Sequence, residues 1–437
     1  MKEIIGDREM KEIIGYRREF HRFAETGWTE IRTSARVAEI LESMGYTQVM
    51  MGCDAVEEAS IAPMLRLSAE EKQKNMERAV AQGADAAYVK RTEGLAGVAA
   101  VFDSGRPGPV SAMRFDMDCL PYDEPAEADY PPALEGFLSE NGGCVHACGH
   151  DGHTAMGLGI AKLLMEYKDV LCGKVKLLFQ PAEETFYGAQ SMVDKGHLDD
   201  VQFFMAMHIA LTAEGKPLPS HTIACGCKDF LSDRQLDVTF HGKAAHPCGA
   251  SQEGKNAILA ACTATLNAHA IAPHEEGLCR VNVGLIHGGS APNTIAPEAS
   301  ISVEFRGQTP TISAYAAQRV FDVLDGAAKT YDITYDYVDY GEVPAGASDD
   351  AMMEIVQRAA KKVPWFKKIY FEGNVGGTDD AAVMMTRVQQ NGGMAVYTGI
   401  GADTTQPLHN PVFDFDEESI PAAVKLCIEV LKEIHRN

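Results

Sequence analysis

One short segment of the chain is dense in residue types that bind metals. The run His146-Ala-Cys148-Gly-His150-Asp-Gly-His153 contains three imidazoles and one thiol. Thiolate and imidazole are good ligands for borderline transition metals, and a Cys-x-His pair on a tight glycine-containing loop can converge on one centre. The alternative is a helix start that happens to contain histidines. The density of ligand types favours a metal site.

Two adjacent carboxylates, Glu183 and Glu184, follow a largely apolar stretch. This stretch, Lys174 to Gln180, is predicted to be a buried strand, although Lys176 interrupts it. Ligand sites of α/β proteins lie at the carboxyl ends of parallel strands. Neighbouring side chains point in different directions, so one carboxylate could bind a metal while the other reaches a metal-bound water. Most adjacent pairs of acidic residues lie in solvent at the start of a helix. The buried strand predicted before Glu183 argues against that alternative here.

Isolated residues elsewhere in the chain become candidate site residues once these two motifs are considered together. His208 follows the apolar run Phe203 to Met207, which is typical of a buried parallel strand. By itself it would be interpreted as a hydrogen-bonded core histidine. His409 would be unremarkable alone. Three further candidates, which individually could be turn or surface residues, are His246, Asn293 and Arg306.

The elements that must position these residues alternate between helix and strand in the first half, which favours an α/β sheet with crossover helices. The segment Gly52 to Glu93 is unusually polar and is interpreted as an insertion. Ser68 and Glu71 form a capping box before its charged helix. The helices predicted in this half span about 8–23, 33–44 and 153–167, and strands are predicted at 98–102 and 110–115.

The pattern changes from about Leu231 and returns to α/β after Tyr340. Between these points the order of elements predicts a small open-faced α+β domain. Its predicted strands are 235–240, 280–286 and 299–306, and its predicted helices are 256–270 and 312–331. The predicted organisation is a discontinuous catalytic domain, 1–229 and 342–437, with an inserted domain at 230–341.

Bulk properties exclude several classes of function. The net charge of −23 argues against binding to nucleic acid or to anionic membrane surfaces. The apolar runs are too short to span a bilayer, and the first eight residues lack the apolar core of a signal peptide. A cytoplasmic protein is therefore expected. The spacing of the eleven cysteines gives no small-domain disulfide framework, and most of them are expected to be buried thiols.

Taken in order, these motifs resemble the two-metal aminoacylase/carboxypeptidase-like metallopeptidases. The resemblance lies in their amidohydrolase branch, which includes hippurate hydrolases, N-acetyl-diaminopimelate deacetylases and plant auxin-conjugate hydrolases. Within this branch the chain most resembles the subgroup that hydrolyses p-aminobenzoyl-glutamate. The shared features are the insertion and the motifs at 25–28, 105–109, 270–274 and 413–417. Further motifs that carry the resemblance are Phe20 to Trp28, Arg114-Phe-Asp-Met-Asp118, Gly377-Thr-Asp-Asp380 and Phe413 to Glu417.

The resemblance implies a zinc-peptidase-like α/β catalytic domain, with a mixed, largely parallel sheet flanked by helices. It also implies an inserted α+β lid domain that dimerises, and two divalent metal ions per subunit, Mn²⁺ or Zn²⁺. Glu183 would be the general base, His246 would stabilise the transition state, and Asn293 and Arg306 would hold the substrate carboxylate. Cys148 would be the bridging thiolate in the implied ligand set, which is Cys148, His150, Glu184, His208 and His409.

The expected reaction is metal-dependent hydrolysis of N-acyl amino acids, first of all p-aminobenzoyl-glutamate, a product of folate breakdown, to p-aminobenzoate and glutamate. The alternatives are an auxin-conjugate or hippurate-type hydrolase, or a regulatory subunit that needs a homologous B-type partner. A structural zinc protein would need closed four-ligand spacing, which is absent. The expected partners are a small-molecule substrate and a second copy of the chain.

Overall fold

The computed structural model describes residues 6–126 and 129–436. They form two compact units. The first unit lies within Met1–Lys228, Ala347–Val375 and Asp379–Asn437, and the second comprises Asp229–Gly346 and Gly376–Thr378. Residues 1–5, on which the expectation about a signal peptide partly rests, lie outside the described residues. No helix among the described residues is both long enough and apolar enough to cross a bilayer.

Helices and strands alternate along the first unit, and the second unit contains two helices and four strands among its described residues. The helices are α1 (Asp7–Arg22), α2 (Ile31–Ser43), α3 (Ala69–Ala81), α4 (Ala86–Thr92), α5 (Pro131–Glu135), α6 (His150–Glu166), α7 (Gly188–Asp194), α8 (Ala257–His269), α9 (Pro310–Thr330), α10 (Asp350–Ala360), α11 (Ala381–Gln390) and α12 (Ser419–His435). The strands are β1 (Val49–Met51), β2 (Val98–Asp103), β3 (Val110–Asp116), β4 (Lys174–Gln180), β5 (Phe203–Ile209), β6 (Thr212–Ala213), β7 (Lys216–Pro217), β8 (Thr222–Cys227), β9 (Asp233–His241), β10 (Cys279–Gly288), β11 (Glu298–Gly307), β12 (Thr334–Val343), β13 (Lys368–Gly373) and β14 (Met394–Ile400).

The first unit is built on an eight-stranded sheet with the order β1-β2-β4-β3-β5-β14-β8-β13. The four central strands, β4, β3, β5 and β14, are mutually parallel. They are buried on both faces because helices cover the sheet, which is why their sequences are nearly continuously apolar. Antiparallel pairs attach β2 to β4 and β8 to β14. The predicted fold class, a mixed and largely parallel sheet flanked by helices, is confirmed.

The second unit has an antiparallel four-stranded sheet with the order β10-β11-β9-β12. Helices α8 and α9 pack against β10 and β11. Along β11 the buried positions alternate, with Ile301, Val303 and Phe305 in the core of this unit. This is the open-faced α+β arrangement expected of a sheet that is covered on one side.

The insertion folds as α3, α4 and short 3₁₀ turns between β1 and β2. The predicted capping box is present: the Ser68 N–H donates to Glu71 Oε2 at 2.8 Å, and the Glu71 N–H donates to Ser68 Oγ at 3.3 Å. Its apolar side packs against α2. Together they form a small separate core that contains Ile31, Ala79 and Val89. The insertion is therefore packed against the first unit by its own hydrophobic contacts.

Candidate metal centre

The loop that carries Cys148 leads directly into α6. This helix begins at His150, three residues earlier than predicted. Gly149 makes the turn with φ +85°, and a Cβ at this position would lie 2.3 Å from Ile209 Cδ1, so only glycine fits. The result is that Cys148 and His150 flank one tight corner. The Cys148 Sγ lies 3.5 Å from Nε2 of His208.

His150 is oriented through one ring nitrogen only. Its Nδ1 lies 3.0 Å from the backbone oxygen of Asp118, to which it can donate a hydrogen bond. Its Nε2 is buried and has no hydrogen-bond partner within the described part of the chain. The nearest carboxylate oxygens are those of Asp116 and Glu183, each at 3.8 Å, and Glu184 at 3.9 Å. A buried nitrogen held in this way is suited to bind a cation.

His153 has a different environment from His150. Its Nε2 accepts the Ile209 N–H at 3.1 Å, so Nδ1 carries the proton and donates to Asp116 Oδ1 at 2.6 Å. Both nitrogens are therefore used in holding β3, β5 and α6 together. His146 is also buried, and burial lowers its pKa to about 3. Of the four candidate ligand residues in the run, Cys148 and His150 place a binding atom in the centre, whereas the two ring nitrogens of His146, unpartnered among the described residues, belong to none of its groups of ligand atoms.

The glutamate pair sits on a turn that follows β4. Ala182 has φ +56°, and its N–H donates to Glu30 Oε1 at 2.8 Å. The Glu184 N–H donates to Asp118 Oδ2 at 2.9 Å. Glu184 Oε1 is buried and lacks a hydrogen-bond partner among the described residues. The turn thus presents a second buried ligand atom next to His150.

His208 and His409 complete the group from two further directions. His208 is the penultimate residue of β5, and its Nδ1 donates to the Ile209 backbone oxygen at 2.6 Å, which leaves Nε2 facing Cys148. His409 has φ +65°, and its N–H donates to the Ala147 oxygen at 2.8 Å. Its Nε2 lies 3.5 Å from Glu184 Oε2, and half of the side chain is exposed. His409 therefore marks the open side of the centre.

These side chains form one connected cluster in the first unit. Three groups each have ligand atoms within 4.8 Å of one another, and the third group joins the other two, because it shares His150 with the first and Glu184 with the second. The donor set of thiol, imidazole and carboxylate suits a divalent transition metal, which would also satisfy the unpartnered buried atoms of His150 and Glu184. The groups are Asp116, His150, His153 and His208; Cys148, Glu184 and His409; and His150, Glu183 and Glu184.

An acidic group beside Glu183 was not assigned a role from the sequence. Glu183, Asp379 and Asp380 also lie within 4.8 Å of one another. Arg114, buried in the middle of the sheet, contacts Asp379 at 3.2 Å and Asp380 at 3.0 Å. It also contacts Asp116 at 2.6 Å. The signal in the sequence is a lone arginine inside an apolar strand. Burial of its charge is favourable only when carboxylates surround it.

The concentration of carboxylates changes the pKa values throughout the centre. Burial, followed by Asp379 and Glu184, raises the pKa of Glu183 well above its usual range. Burial also raises the pKa of Glu184 to about 7. Burial alone would lower the pKa of His150, but Asp116 and Asp118 outweigh it and raise this pKa to about 10. The centre therefore favours bound positive charge, which a divalent cation would supply in place of protons.

The remaining predicted site residues lie in the second unit. His246 is exposed in the loop after β9, and its Nδ1 accepts the Gly249 N–H at 3.0 Å. Asn293 is exposed in the loop between β10 and β11. The two loops are neighbours, because the Ile295 N–H donates to the Ala245 oxygen at 3.0 Å.

Arg306 lies near the opposite end of β11 from Asn293. The strand from Glu298 to Arg306 spans about 27 Å. Arg306 contacts Asp233 at 2.7 Å, Thr378 Oγ1 at 3.0 Å, and Glu304. This geometry does not offer one substrate carboxylate to both Asn293 and Arg306 of the same chain.

Known proteins are similar to this chain over nearly its whole length. The A-type component of p-aminobenzoyl-glutamate hydrolase from Escherichia coli (strain K12) is 40% identical over 415 residues, which cover 94% of this chain and 93% of that protein. The indole-3-acetyl-aspartic acid hydrolase of Enterobacter agglomerans is 40% identical over 419 residues, with coverages of 95% and 94%. The crystal structure of an aminobenzoyl-glutamate utilization protein from Klebsiella pneumoniae matches with a TM-score of 0.78 and 36% identity, covering 97% of this chain and 96% of that one.

The family assignment follows from these similarities and agrees with the resemblance inferred from the motifs. Residues 112–433 match Peptidase family M20/M25/M40. The matched stretch contains every member of the metal-ligand cluster. The chain belongs to Peptidase family M20/M25/M40 and is a metal-dependent hydrolase of amide bonds.

Proposed function

We propose that the chain hydrolyses N-acyl amino acids that combine an aromatic acyl group with an acidic amino acid, and p-aminobenzoyl-glutamate above all. The observation that carries the proposal is the buried thiol, imidazole and carboxylate cluster with its unpartnered ligand atoms. Two relatives of equal identity are named for p-aminobenzoyl-glutamate and indole-3-acetyl-aspartate. Both compounds have the stated chemistry, and the second is the alternative substrate.

In this proposal the ligands of two divalent ions, Mn²⁺ or Zn²⁺, are Cys148, His150, Glu184, His208 and His409. Overlapping groups of ligand atoms support more than one ion. When bound, such ions lower the pKa of a shared water and polarise the scissile carbonyl. Cys148 is the proposed bridging ligand, because its Sγ is 3.5 Å from His208 and it shares a ligand group with Glu184 and His409.

Glu183 is the proposed general base. It accepts a proton from the attacking water and later delivers it to the nitrogen of the departing amino acid as the C–N bond breaks. Burial, followed by the charge of Asp379, raises the pKa of the Glu183 carboxyl well above the usual range, which favours uptake of the proton from water. His246 is the proposed stabiliser of the oxyanion.

The substrate carboxylates need local recognition, since a net charge of −23 gives no general attraction for an anion. Asn293 and Arg306 are the proposed contacts. They lie toward opposite ends of β11, so we propose that they recognise different groups, or the same substrate from different subunits. Arg306 has the planar, multiply donating guanidinium that binds a carboxylate through two hydrogen bonds.

We propose that the protein acts in the cytoplasm as a homodimer that contacts through the second unit, with a homologous B-type partner as a further requirement to be tested. All eleven cysteines are free. A thiol ligand and free cysteines fit a reducing compartment, where thiols persist.

The test is a substrate screen with purified protein. The protein is stripped with a chelator, reloaded with Mn²⁺ or Zn²⁺, and assayed on p-aminobenzoyl-glutamate, indole-3-acetyl-aspartate and hippurate, with and without a B-type partner. We expect release of glutamate from p-aminobenzoyl-glutamate to exceed hippurate hydrolysis, and to vanish on chelation. Faster hydrolysis of hippurate, which lacks the second carboxylate, would contradict the proposed preference.

A further inference from the structure

The insertion lies against the turn that carries Glu183 rather than standing apart from it. We call residues 25–30 the brace loop and residues 181–185 the catalytic turn. The insertion contacts the brace loop through α3 and contacts α7, which follows the catalytic turn, through residues 57–60. The insertion is thus connected to the catalytic turn in two ways, through the brace loop and through α7.

The brace loop touches the backbone of the catalytic turn. A Cβ at Gly27 would lie 3.1 Å from the Ala182 Cα and 3.2 Å from the Thr185 Cγ2, so a larger residue at this position would press against the catalytic turn. The Glu30 Oε1 accepts the Ala182 N–H at 2.8 Å. Ala182 has the left-handed φ of +56°, which an alanine adopts only when its surroundings impose it. The brace loop supplies that constraint.

Arg78 of α3 holds the brace loop. Its Nη2 donates to Glu25 Oε1 at 2.6 Å and to the Thr29 backbone oxygen at 2.7 Å. Glu25 is fully buried, and it also accepts the N–H groups of Arg32 at 3.2 Å and Thr33 at 2.9 Å at the start of α2. A buried carboxylate is stable where a cation and several donors surround it. Removing the cation would therefore loosen both ends of the brace loop.

A second connection reaches the catalytic turn from the other side. The Glu57 N–H donates to the Ser191 backbone oxygen at 3.0 Å, and the Ser60 Oγ donates to Asp194 at 2.6 Å. Both acceptors are on α7. The first residue of that helix, Gly188, packs so tightly that a Cβ there would lie 1.7 Å from the Pro181 oxygen. Because the insertion holds α7 and α7 packs tightly against Pro181, the insertion also restricts movement of the catalytic turn.

We propose that Arg78 is a positioning residue for Glu183. Arg78 fixes the brace loop, the brace loop fixes Ala182, and Ala182 fixes the direction of the Glu183 carboxylate. The insertion is then part of the catalytic apparatus and not a surface appendage. The inference rests on the proposed function only in the assignment of Glu183 as the general base.

The chain offers a matched control within the same insertion. Arg91 of α4 also donates to one carboxylate, Glu42 at 2.8 Å, and to one backbone oxygen, that of Val49 at 3.2 Å. Neither partner touches the catalytic turn. The variants are Arg78→Met, Arg78→Lys and Arg91→Met. Because Arg78 makes both contacts with the brace loop through one nitrogen, the ammonium of Arg78→Lys can replace it.

We expect Arg78→Met to lower kcat by about ten- to a hundredfold, with KM and bound metal close to wild type. Arg78→Lys should keep most of the turnover, and Arg91→Met should match wild type. Hydrogen exchange measured by mass spectrometry gives a readout that needs no substrate. The peptide that contains Ala182 and Glu184 should exchange faster in Arg78→Met alone, while a peptide from the middle of α6 should not change.

Two results would overturn the proposal. One is an equal loss of turnover in Arg78→Met and Arg91→Met. The other is unchanged exchange at the catalytic turn in a folded Arg78→Met protein. Should Arg78→Met not fold, Arg78→Gln, which keeps a donor without the charge, takes its place in both measurements. If the wild type hydrolyses no N-acyl amino acid, the proposed function fails, and the exchange comparison still decides the role of Arg78.

Discussion

At the scale of single residues, Glu183 and Glu184 have the same chemistry but different neighbours. Glu184 offers a buried, unpartnered oxygen to the ligand cluster, whereas Glu183 sits beside Asp379 and Asp380. We predict that Glu183→Gln keeps its metal and loses about a hundred- to ten-thousandfold in turnover, the usual loss for a general base. Glu184→Gln should lose metal as well, as measured by elemental analysis. Equal metal content and equal residual rates in the two variants would show that the roles are wrongly divided.

The thiol of Cys148 allows a second prediction at this scale. Burial, followed by Glu184 and Glu183, raises its pKa well above the usual range, so the thiolate needs a cation beside it. Cys148→Ala should therefore lower the metal content and the amide hydrolysis together. Cys427→Ala is the matched control, because Cys427 is also buried but packs against Met207 in the core. A fully metallated and active Cys148→Ala protein would make Cys148 a filler like Cys427.

Cys148, His150 and Glu184 could be proposed as ligands from the sequence because they lie in dense motifs, whereas His208 and His409 became candidates only beside those motifs. The residues that orient the ligands could not be predicted from the sequence. Asp118 holds His150, and Glu30 holds the turn that carries Glu184, yet each is one acid in an ordinary context. Their partners are distant in sequence, so only the tertiary fold defines the contacts. The motif Arg114 to Asp118 supported the resemblance without revealing the buried ion pairs that Arg114 makes.

At the scale of elements, a buried polar network joins α1 to the start of α6. His21 of α1 lies 2.8 Å from Asp151 of α6 and 2.8 Å from Glu124. Burial and the nearby Arg17 act to lower the pKa of His21, but the two carboxylates outweigh them and raise it to about 9. The charged histidine thus stabilises the contact between these helices.

This network predicts a pH dependence of stability. The pKa of His21 is about 9 in the folded protein and 6.5 in an unfolded chain. Its contribution is complete below pH 6.5 and is lost as the pH rises through 9. The difference in unfolding free energy between wild type and His21→Gln should shrink by up to about 3 kcal/mol over this range. Denaturant unfolding at each pH measures it. His287→Gln, at an exposed position on β10, should show no such trend, and a constant difference for His21→Gln would contradict the prediction.

Whether a strand could be predicted from the sequence depends on how many of its faces are buried. Apart from His208, β5 is apolar along its length because helices cover both faces of the central sheet. The sequence of β12 is Thr-Tyr-Asp-Tyr-Val-Asp-Tyr-Gly-Glu-Val, and most of its residues are exposed. It is a strand because it pairs with β9 at the edge of the small sheet, and a polar edge strand has no hydrophobic alternation to detect. For that reason β12 was not predicted.

At the scale of the whole molecule, the ligand cluster and His246 belong to different compact units. Every proposed metal ligand lies in the first unit, and His246 lies on an exposed loop of the second. In a dimer with two-fold symmetry, a loop of one protomer can serve its partner, and the reverse contact is then identical. We predict that His246 acts in the site of the partner protomer.

Mixing two inactive variants, Glu183→Gln and His246→Ala, tests this prediction. If His246 acts on the partner, one site of each mixed dimer carries both defects and the other carries neither. With random reassortment about half of the dimers are mixed, so activity should return to about a quarter of wild type per protomer. The control is a mixture of Glu183→Gln with Cys148→Ala, because both changes lie in the first unit and every site keeps one defect. If mixed dimers are verified by mass spectrometry and no activity returns, His246 serves its own protomer or none.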